Sequence, residues 1–197
     1  MSGRTPARKR FFELLRERPA KGEQFDARIA GQLERELTIL AADSSGFSKK
    51  TFEHGIVRFL ANLVRSYDRI IPIIEKNGGT VTTQNADNIL AVFEDTVGAV
   101  RAAIAVHAWL AKRNRPLPPA DRFELCIGIH HGSVLRLADD VYGAAVNVCA
   151  KIGEDVAARN ETLVTDQVVA RAPGFRYARA GSVVIGGQRI RLHRVRT

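Results

Sequence analysis

Leu37 to Ala42 is a short, nearly continuous apolar run that stops at Asp43-Ser44-Ser45-Gly46. A run this short with almost no polar alternation reads as an interior strand covered on both faces, ending in a loop. The next segment supplies a cover for that strand. Ile56, Phe59, Leu60, Leu63, Val64, Tyr67, Ile70, Ile71 and Ile74 recur at three- and four-residue steps, the spacing of one long amphipathic helix. Pro72 should kink this helix or mark its last turns, and Gly78-Gly79 closes it. Two strands come next, around Thr80–Thr83 and Asn88–Phe93, joined as a hairpin.

The second half repeats the theme. A helix is predicted over Thr96 to Arg113, with Val100, Ala103, Ile104, His107 and Leu110 on one stripe; Pro116, Pro118 and Pro119 end it. Phe123–Ile129 reads as a strand and Gly132–Leu137 as another. A helix is expected from about Ala144 to Ala158, then a strand at Glu161–Thr165 and two final strands near Gly181–Ile185 and Arg189–Val195. The order β-α-β-β-α-β with additions predicts an α+β, ferredoxin-like sandwich over residues 37–197. Residues 1–36 are highly charged, with Phe11, Phe12, Leu14, Leu15, Phe25, Ile29 and Leu33 as apolar positions. They predict a helical extension or dimer arm of one or two helices, broken at Pro19-Ala20-Lys21-Gly22.

Composition narrows the class. With 197 residues, 45% of them hydrophobic, the chain can bury a core and is not a disordered sequence. No apolar run reaches the roughly 20 residues that span a bilayer, so no membrane association is expected. The basic start MSGRTPARKRFFELL lacks a signal-peptide apolar stretch. Cys126 and Cys149 sit in apolar surroundings without ligand spacing, which fits buried thiols in a reducing, cytoplasmic compartment. The net charge is +9, and Arg171 to Thr197 holds seven arginines and no acid. That tail would suit a polyanion, but no helix-turn-helix, zinc-finger or basic-zipper pattern goes with it, so nucleic acid is not the expected partner. The exposed face of a terminal strand pair accounts for it better. RNA-recognition modules share the topology, but their aromatic stacking signature is missing here.

The acids remain to be explained. In GGTVTTQNADNILAVF, Gly78 to Phe93, Asp87 stands among Gln84, Asn85 and Asn88 at a hairpin tip. Turn chemistry alone accounts for such residues. The β-α-β-β order, however, lets Asp87 and Asp43 meet at one edge of the sheet. Two carboxylates beside a loop with free backbone N–H groups suit Mg²⁺ or Mn²⁺ carrying a triphosphate, since these cations take one or two carboxylates plus phosphate oxygens.

Four ordered stretches resemble the class III nucleotidyl cyclases, the family of the common adenylate and guanylate cyclases. ILAADSSGFS is similar to the family's first metal motif, which implies Asp43 and Ser44 at the metals and Gly46, Phe47 and Ser48 around the phosphates. The Gly78–Phe93 hairpin resembles the stretch with the second metal ligand, implied at Asp87. CIGIHHGSV resembles the Gly-Ile-His-x-Gly strand at Gly128, Ile129, His130 and Gly132. DVYGAAVNVCAKI resembles the motif carrying the base-contacting Asp, here Asp140, and the transition-state Asn, here Asn147. The resemblance runs from Leu37 to Val195. It implies a homodimer with sites at the subunit interface, two metal ions per site, and conversion of a nucleoside triphosphate to a 3′,5′-cyclic nucleotide and pyrophosphate. Asp43 and Asp87 of one subunit would face Thr83, Asp140, Asn147 and Lys151 of the other.

Three positions depart from the family pattern. Its adenine-selecting lysine falls at Thr83, neutral and short. Its transition-state arginine, four residues after Asn147, is Lys151, which keeps the charge without the planar fork. Its phosphate-pairing lysine falls near Gly186, with Arg189 or Arg191 as substitutes or as solvated strand residues. The ADN at Ala86–Asn88 and KIGED at Lys151–Asp155 resemble a divergent bacterial branch, some members of which make cyclic pyrimidine nucleotides as antiphage signals. The expectation is therefore a cyclase leaning to UTP or CTP, with ATP next, and a catalytically degenerate nucleotide sensor as the other reading. Phe52 is expected in the core or at the base pocket. His130 and His131 are expected to alternate, one packed and one exposed. No special part is expected for His54, His107 or His193.

Overall fold

The structure is a computed structural model that describes residues 6–196. Helices α1 (Pro6–Leu15) and α2 (Arg18–Leu33) precede strand β1 (Glu34–Ser44). Then come α3 (Phe47–His54), α4 (Ile56–Lys76), the hairpin β2 (Gly79–Asn85) and β3 (Asn88–Phe93), and α5 (Thr96–Asn114). The remainder is β4 (Leu125–Arg136), β5 (Val141–Tyr142), α6 (Ala144–Lys151), β6 (Thr162–Thr165), α7 (Asp166–Arg171), β7 (Arg176–Ile185) and β8 (Gln188–Arg196). One sheet runs β2-β3-β1-β4-β6-β8-β7, with β5 paired to β4 off that path. Its first four strands, β2-β3-β1-β4, are antiparallel and form the expected ferredoxin-like core. Among the described residues only β4 and β6 pair in parallel.

The sheet is covered on both faces, and this explains the apolar run of β1. Leu40 and Ala42 point toward α4 and α5, in a core with Leu63, Tyr67, Ile70, Val100 and Ile127. Leu37, Ile39 and Ala41 point the other way, onto Ala145 and Cys149 of α6. Successive side chains alternate faces, and neither face meets water. The same geometry corrects the reading of His130 and His131: they alternate, yet both are buried. His130 pairs with Thr165 and His131 with Thr38, at 2.9 Å each.

Other boundaries differ from expectation. Gly55 (φ 83°) separates α3 from α4, so the helical run is two helices. Pro72, as expected, marks the last turns of α4, which ends at Lys76. The segments Phe123–Ile129 and Gly132–Leu137 belong to a single strand, β4, which pairs with β1 from Glu34↔Leu135 to Ser44↔Leu125. The helix expected to reach Ala158 stops being α-helical at Lys151 and continues as a π turn over Ile152–Val156. Helix α7 and strand β5 are short elements that the sequence pattern does not announce. Phe52 is not a core residue: it is 95% exposed. The arginine-rich end does form a strand pair, with Arg176, Arg179, Arg189, Arg191, Arg194 and Arg196 exposed. Cys126 and Cys149 are free and buried, and burial pushes the Cys149 thiol up to about 12.

The helical extension breaks twice, between α1 and α2 at Arg16-Glu17, ahead of the expected place, and at Gly22, within it. Gly22 takes φ 62° and ψ −153° inside α2. Phe11, Phe25 and Ile29 pack on Leu137, with Leu135 and Tyr142 at the edge of that cluster.

Candidate active site

Asp43 is the next-to-last residue of β1 and lies opposite Asn88 across the β1–β3 ladder. Pairing of Asn85 with Asn88 closes the β2–β3 hairpin over Ala86 and Asp87, which brings Asp87 beside Asp43. Ala86 takes φ 49°, a left-handed conformation that costs a residue with a Cβ. Ser44, buried, donates from Oγ to Asp87 Oδ2 at 2.7 Å. Tyr67 of α4 donates from its hydroxyl to the Asp87 carbonyl oxygen. Both ends of Asp87 are thus held, one by β1 and one by the helix that supports the sheet.

The two carboxylates oppose each other. Burial, then the nearby Asp87 and Glu154, push Asp43 up to about 6. Among the described residues neither Asp43 nor Asp87 has an ion pair. No group of three or more His, Cys, Asp or Glu at ligand spacing occurs among them either. Two uncompensated carboxylates suit a cation that completes its shell with water and phosphate oxygens, as Mg²⁺ and Mn²⁺ do. They do not suit a closed protein cage such as structural zinc prefers.

The loop after β1 leads straight into α3. Gly46 caps that helix at φ 81°. Phe47 is half-buried, edge-on to Phe59 with ring centroids 4.8 Å apart, and anchors the loop on α4. Ser48 is exposed. The first turn of α3 therefore presents backbone N–H groups near the acids, an arrangement that receives phosphate.

The remaining candidates lie outside this group. Thr83 is half-buried on β2, the sheet-edge strand, just past a bulge between Val81 and Thr83. Asn147 and Lys151 are exposed on the outer face of α6, and Lys151 is paired with Asp155. Asp140 sits in the turn before β5. It accepts from the Tyr142 hydroxyl at 2.6 Å and from the Val141 N–H at 2.9 Å. Gly186 and Gly187 form the β7–β8 turn, so no side chain projects at the expected lysine position. Arg189 bonds Ser182 at 3.2 Å and Arg191 bonds Asp166 at 2.6 Å. His193 also reaches Asp166, at 2.6 Å.

The distances along β1 matter most. The β5 end of β4 pairs with Glu34, while Asp43 pairs with Cys126 at the other end. Nine residues of strand separate the two ends, about 30 Å at ~3.3 Å per residue. The Asp43–Ser44–Asp87 group is assembled within one chain, and Asp140 stands at the far end of the sheet from it.

The motifs do not single out Glu154. The π turn swings it back to the acid end, where Asn88 donates to its carboxylate at 3.3 Å. Burial, then Asp155 and Asp87, raise its pKa. Its sequence signal is the acidic pair three residues past Lys151, which a continuous helix would have aimed elsewhere.

No protein-family model matches the sequence. Solved structures do match, and they define the class of fold as that of the adenylate/guanylate cyclase catalytic domains. An adenylate/guanylate cyclase/hydrolase from Silicibacter pomeroyi superposes with a TM-score of 0.72 at 24% identity, covering 82% of this chain and 96% of that one. The adenylyl cyclase CyaB from P. aeruginosa gives 0.74 at 18% identity, over 83% and 95%. The guanylyl cyclase Cya2 gives 0.71 at 22% identity, over 82% and 92%. By sequence, the chain is 30% identical over 118 residues to "Putative adenylate cyclase 3" of Rhizobium meliloti (strain 1021), and 26% identical over 133 residues to "Serine/threonine-protein kinase pkn2" of Myxococcus xanthus. The matches span 60% and 67% of this chain but only 20% and 16% of those longer proteins. The fold is that of class III cyclase catalytic domains.

Proposed function

We propose that the chain is a metal-dependent nucleotidyl cyclase that converts a nucleoside triphosphate to a 3′,5′-cyclic nucleotide and pyrophosphate. The observation that carries this reading is the Asp43–Ser44–Asp87 group, two carboxylates without an ion pair among the described residues, beside a phosphate-ready helix start. Asp43 and Asp87 would hold the Mg²⁺ or Mn²⁺ ions, which when bound supply charge neutralisation at the phosphates and a lowered pKa for the ribose 3′-hydroxyl. The loop of Gly46, Phe47 and Ser48 receives the phosphates. Asn147 orients the ribose, and Lys151 faces the negative charge that builds on the α-phosphoryl oxygens.

The site requires two subunits. A strand span of about 30 Å keeps Asp140 from the acids of its own chain, and Asn147 points outward from α6. A second copy in antiparallel, isologous arrangement brings α6 and Asp140 of one subunit to Asp43 and Asp87 of the other, and creates two equal sites. Residues 37–197 form the catalytic unit and residues 1–36 its extension.

For the base, Thr83 and Asp140 are the readers. Thr83 offers a short neutral hydroxyl where an adenine-selecting cation would stand, which favours a pyrimidine, UTP or CTP, and a second-messenger role of the antiphage kind in the cytoplasm. ATP is the second reading, and its support is the adenylate cyclase relative. The test is direct. Purified protein is incubated with ATP, GTP, CTP or UTP and Mn²⁺, and products are identified by mass spectrometry. One cyclic nucleotide establishes the chemistry and the base together. Absence of product from all four, with metal and triphosphate bound, makes the chain a nucleotide sensor instead.

A further inference from the structure

We propose that α1 is an autoinhibitory strap, closed over the base-reading element and released when a triphosphate binds. The inference rests on the assignment of Asp140 as a base contact. Both carboxylate oxygens that Asp140 would offer to a base are engaged. Oδ1 accepts from the Val141 N–H at 2.9 Å, and Oδ2 accepts from the Tyr142 hydroxyl at 2.6 Å. Arg8 of α1 then lies over the same oxygen, with its Nε 3.4 Å from Oδ2. The Asp140 side chain is left 14% exposed. Two hydrogen bonds and the Arg8 ion pair leave the carboxylate little open surface, and an exocyclic group reaches it when the overlying guanidinium moves away.

The aromatic contacts bear on which of these groups moves. Phe11 stacks on the Tyr142 ring at 5.8 Å and 21°, and Phe12 meets the same ring edge-on at 5.8 Å and 82°. Phe11 also joins Phe25, Ile29 and Leu137, so the strap has its own apolar seat on β4 and the turn after it. Tyr142 belongs to the sheet through its pairing with Leu135. Arg8 and the two phenylalanines belong to a ten-residue helix tied on by a two-residue turn, Arg16-Glu17. The helix is the element that lifts. Its removal uncovers Oδ2 and one face of the Tyr142 ring, a hydrogen-bond acceptor and a stacking surface side by side.

Linkage makes the strap measurable without turnover. If a triphosphate binds only the open form, it must open the strap, and opening the strap must tighten its binding by the same factor. The probes are the 3′-deoxy forms of UTP, CTP and ATP with Mn²⁺, which lack the attacking hydroxyl. The readout is tryptic cleavage after the exposed Arg16, followed by mass spectrometry on the full chain. A saturating 3′-deoxy triphosphate should speed this cleavage several-fold in the wild type. Arg8→Glu places like charge against Asp140. It should cleave several-fold faster without nucleotide and bind the probe about tenfold more tightly, within the usual range of such couplings. Phe12→Ala should act in the same direction, and Arg8→Lys should stay near wild type. Slower cleavage with nucleotide, weaker probe binding by Arg8→Glu, or unchanged cleavage in Arg8→Glu each overturns the strap. The cyclase reading fails separately, by the absence of cyclic product from natural triphosphates; product formed alongside nucleotide-slowed cleavage would sink the strap alone.

Discussion

Replacing Asp43 by Asn should abolish cyclisation and make the metal-free protein more stable. Asp43 is pushed from an ordinary 3.8 up to about 6, first by burial and then by Asp87 and Glu154. The sign comes from linkage: a carboxyl whose folded pKa is raised favours the folded state while protonated, and that benefit is lost as pH rises from about 4 through 6. Integrated to pH 7, a shift of this size corresponds to about 3 kcal/mol held against the ionised side chain. Partial solvent access halves it, so we expect about 1.5 kcal/mol of stabilisation in D43N at pH 7. At pH 5 the difference should fall to about half that, and near pH 3 it should vanish. The assay is urea unfolding of wild type and D43N in chelator at the three pH values. Adding Mn²⁺ should then raise the wild-type midpoint and leave D43N nearly unmoved, because a ligand stabilises only the form that binds it. A D43N protein that is less stable at pH 7, or a stability difference that does not change with pH, would refute the claim that Asp43 and Asp87 stand together without a cation.

Four further outcomes are expected. Ala86→Gly should stabilise by about 0.5 kcal/mol, the relief of a left-handed Cβ less the extra freedom of glycine in the unfolded chain, as read by thermal melting. Gly128→Ala should destabilise by about 1–3 kcal/mol in the same assay, since the new methyl group would stand 2.5 Å from the Cys149 carbonyl oxygen on the packed face of α6. Lys151→Arg should raise kcat by restoring a planar fork, and Asp155→Asn should raise it modestly by releasing Lys151 from its exposed ion pair; a fall in kcat in both would show that Lys151 is not the transition-state cation. His107 and His130 are pushed down to about 4 by burial, so stability should decline as pH falls from about 6.5 toward 4, and His107→Gln should flatten part of that decline in acid titrations.

Where side chains repeat locally, the sequence is enough. Three- and four-residue spacing locates α4 and α5, and the uninterrupted apolar run locates β1, because a two-sided core imposes both patterns. The Asp43–Asp87 pairing is also legible, since a strand end and a hairpin tip are brought together by topology alone. Signals that depend on a neighbour are not legible. His130 and His131 look like one inside and one outside, and only the layer on the second face of the sheet buries both. Phe52 looks like a core residue of a long helix until Gly55 turns the chain and leaves it on the surface. The strand pieces either side of His130-His131 read as two, because a pair of histidines interrupts the apolar run.

Dependence on neighbours also hides the reach of the second half of the site. Sequence order places Asp140, Asn147 and Lys151 within a dozen residues of one another. The fold carries that stretch from the Glu34 end of β1 toward its Asp43 end. Gly143 starts α6 against Ser133 and Val134, and Gly153 finishes the turn against Ala41 and Gly128, so the helix axis is pinned at both ends by close backbone contacts. Asp140 therefore stays with the strap, while Glu154 returns to the acids. A chain built this way cannot bring its base reader to its own metal carboxylates by a side-chain rotation or a loop shift. In the homodimer proposed above, pairing with a second copy would do so, and the covering of Asp140 by α1 would put control of that step in the first helix.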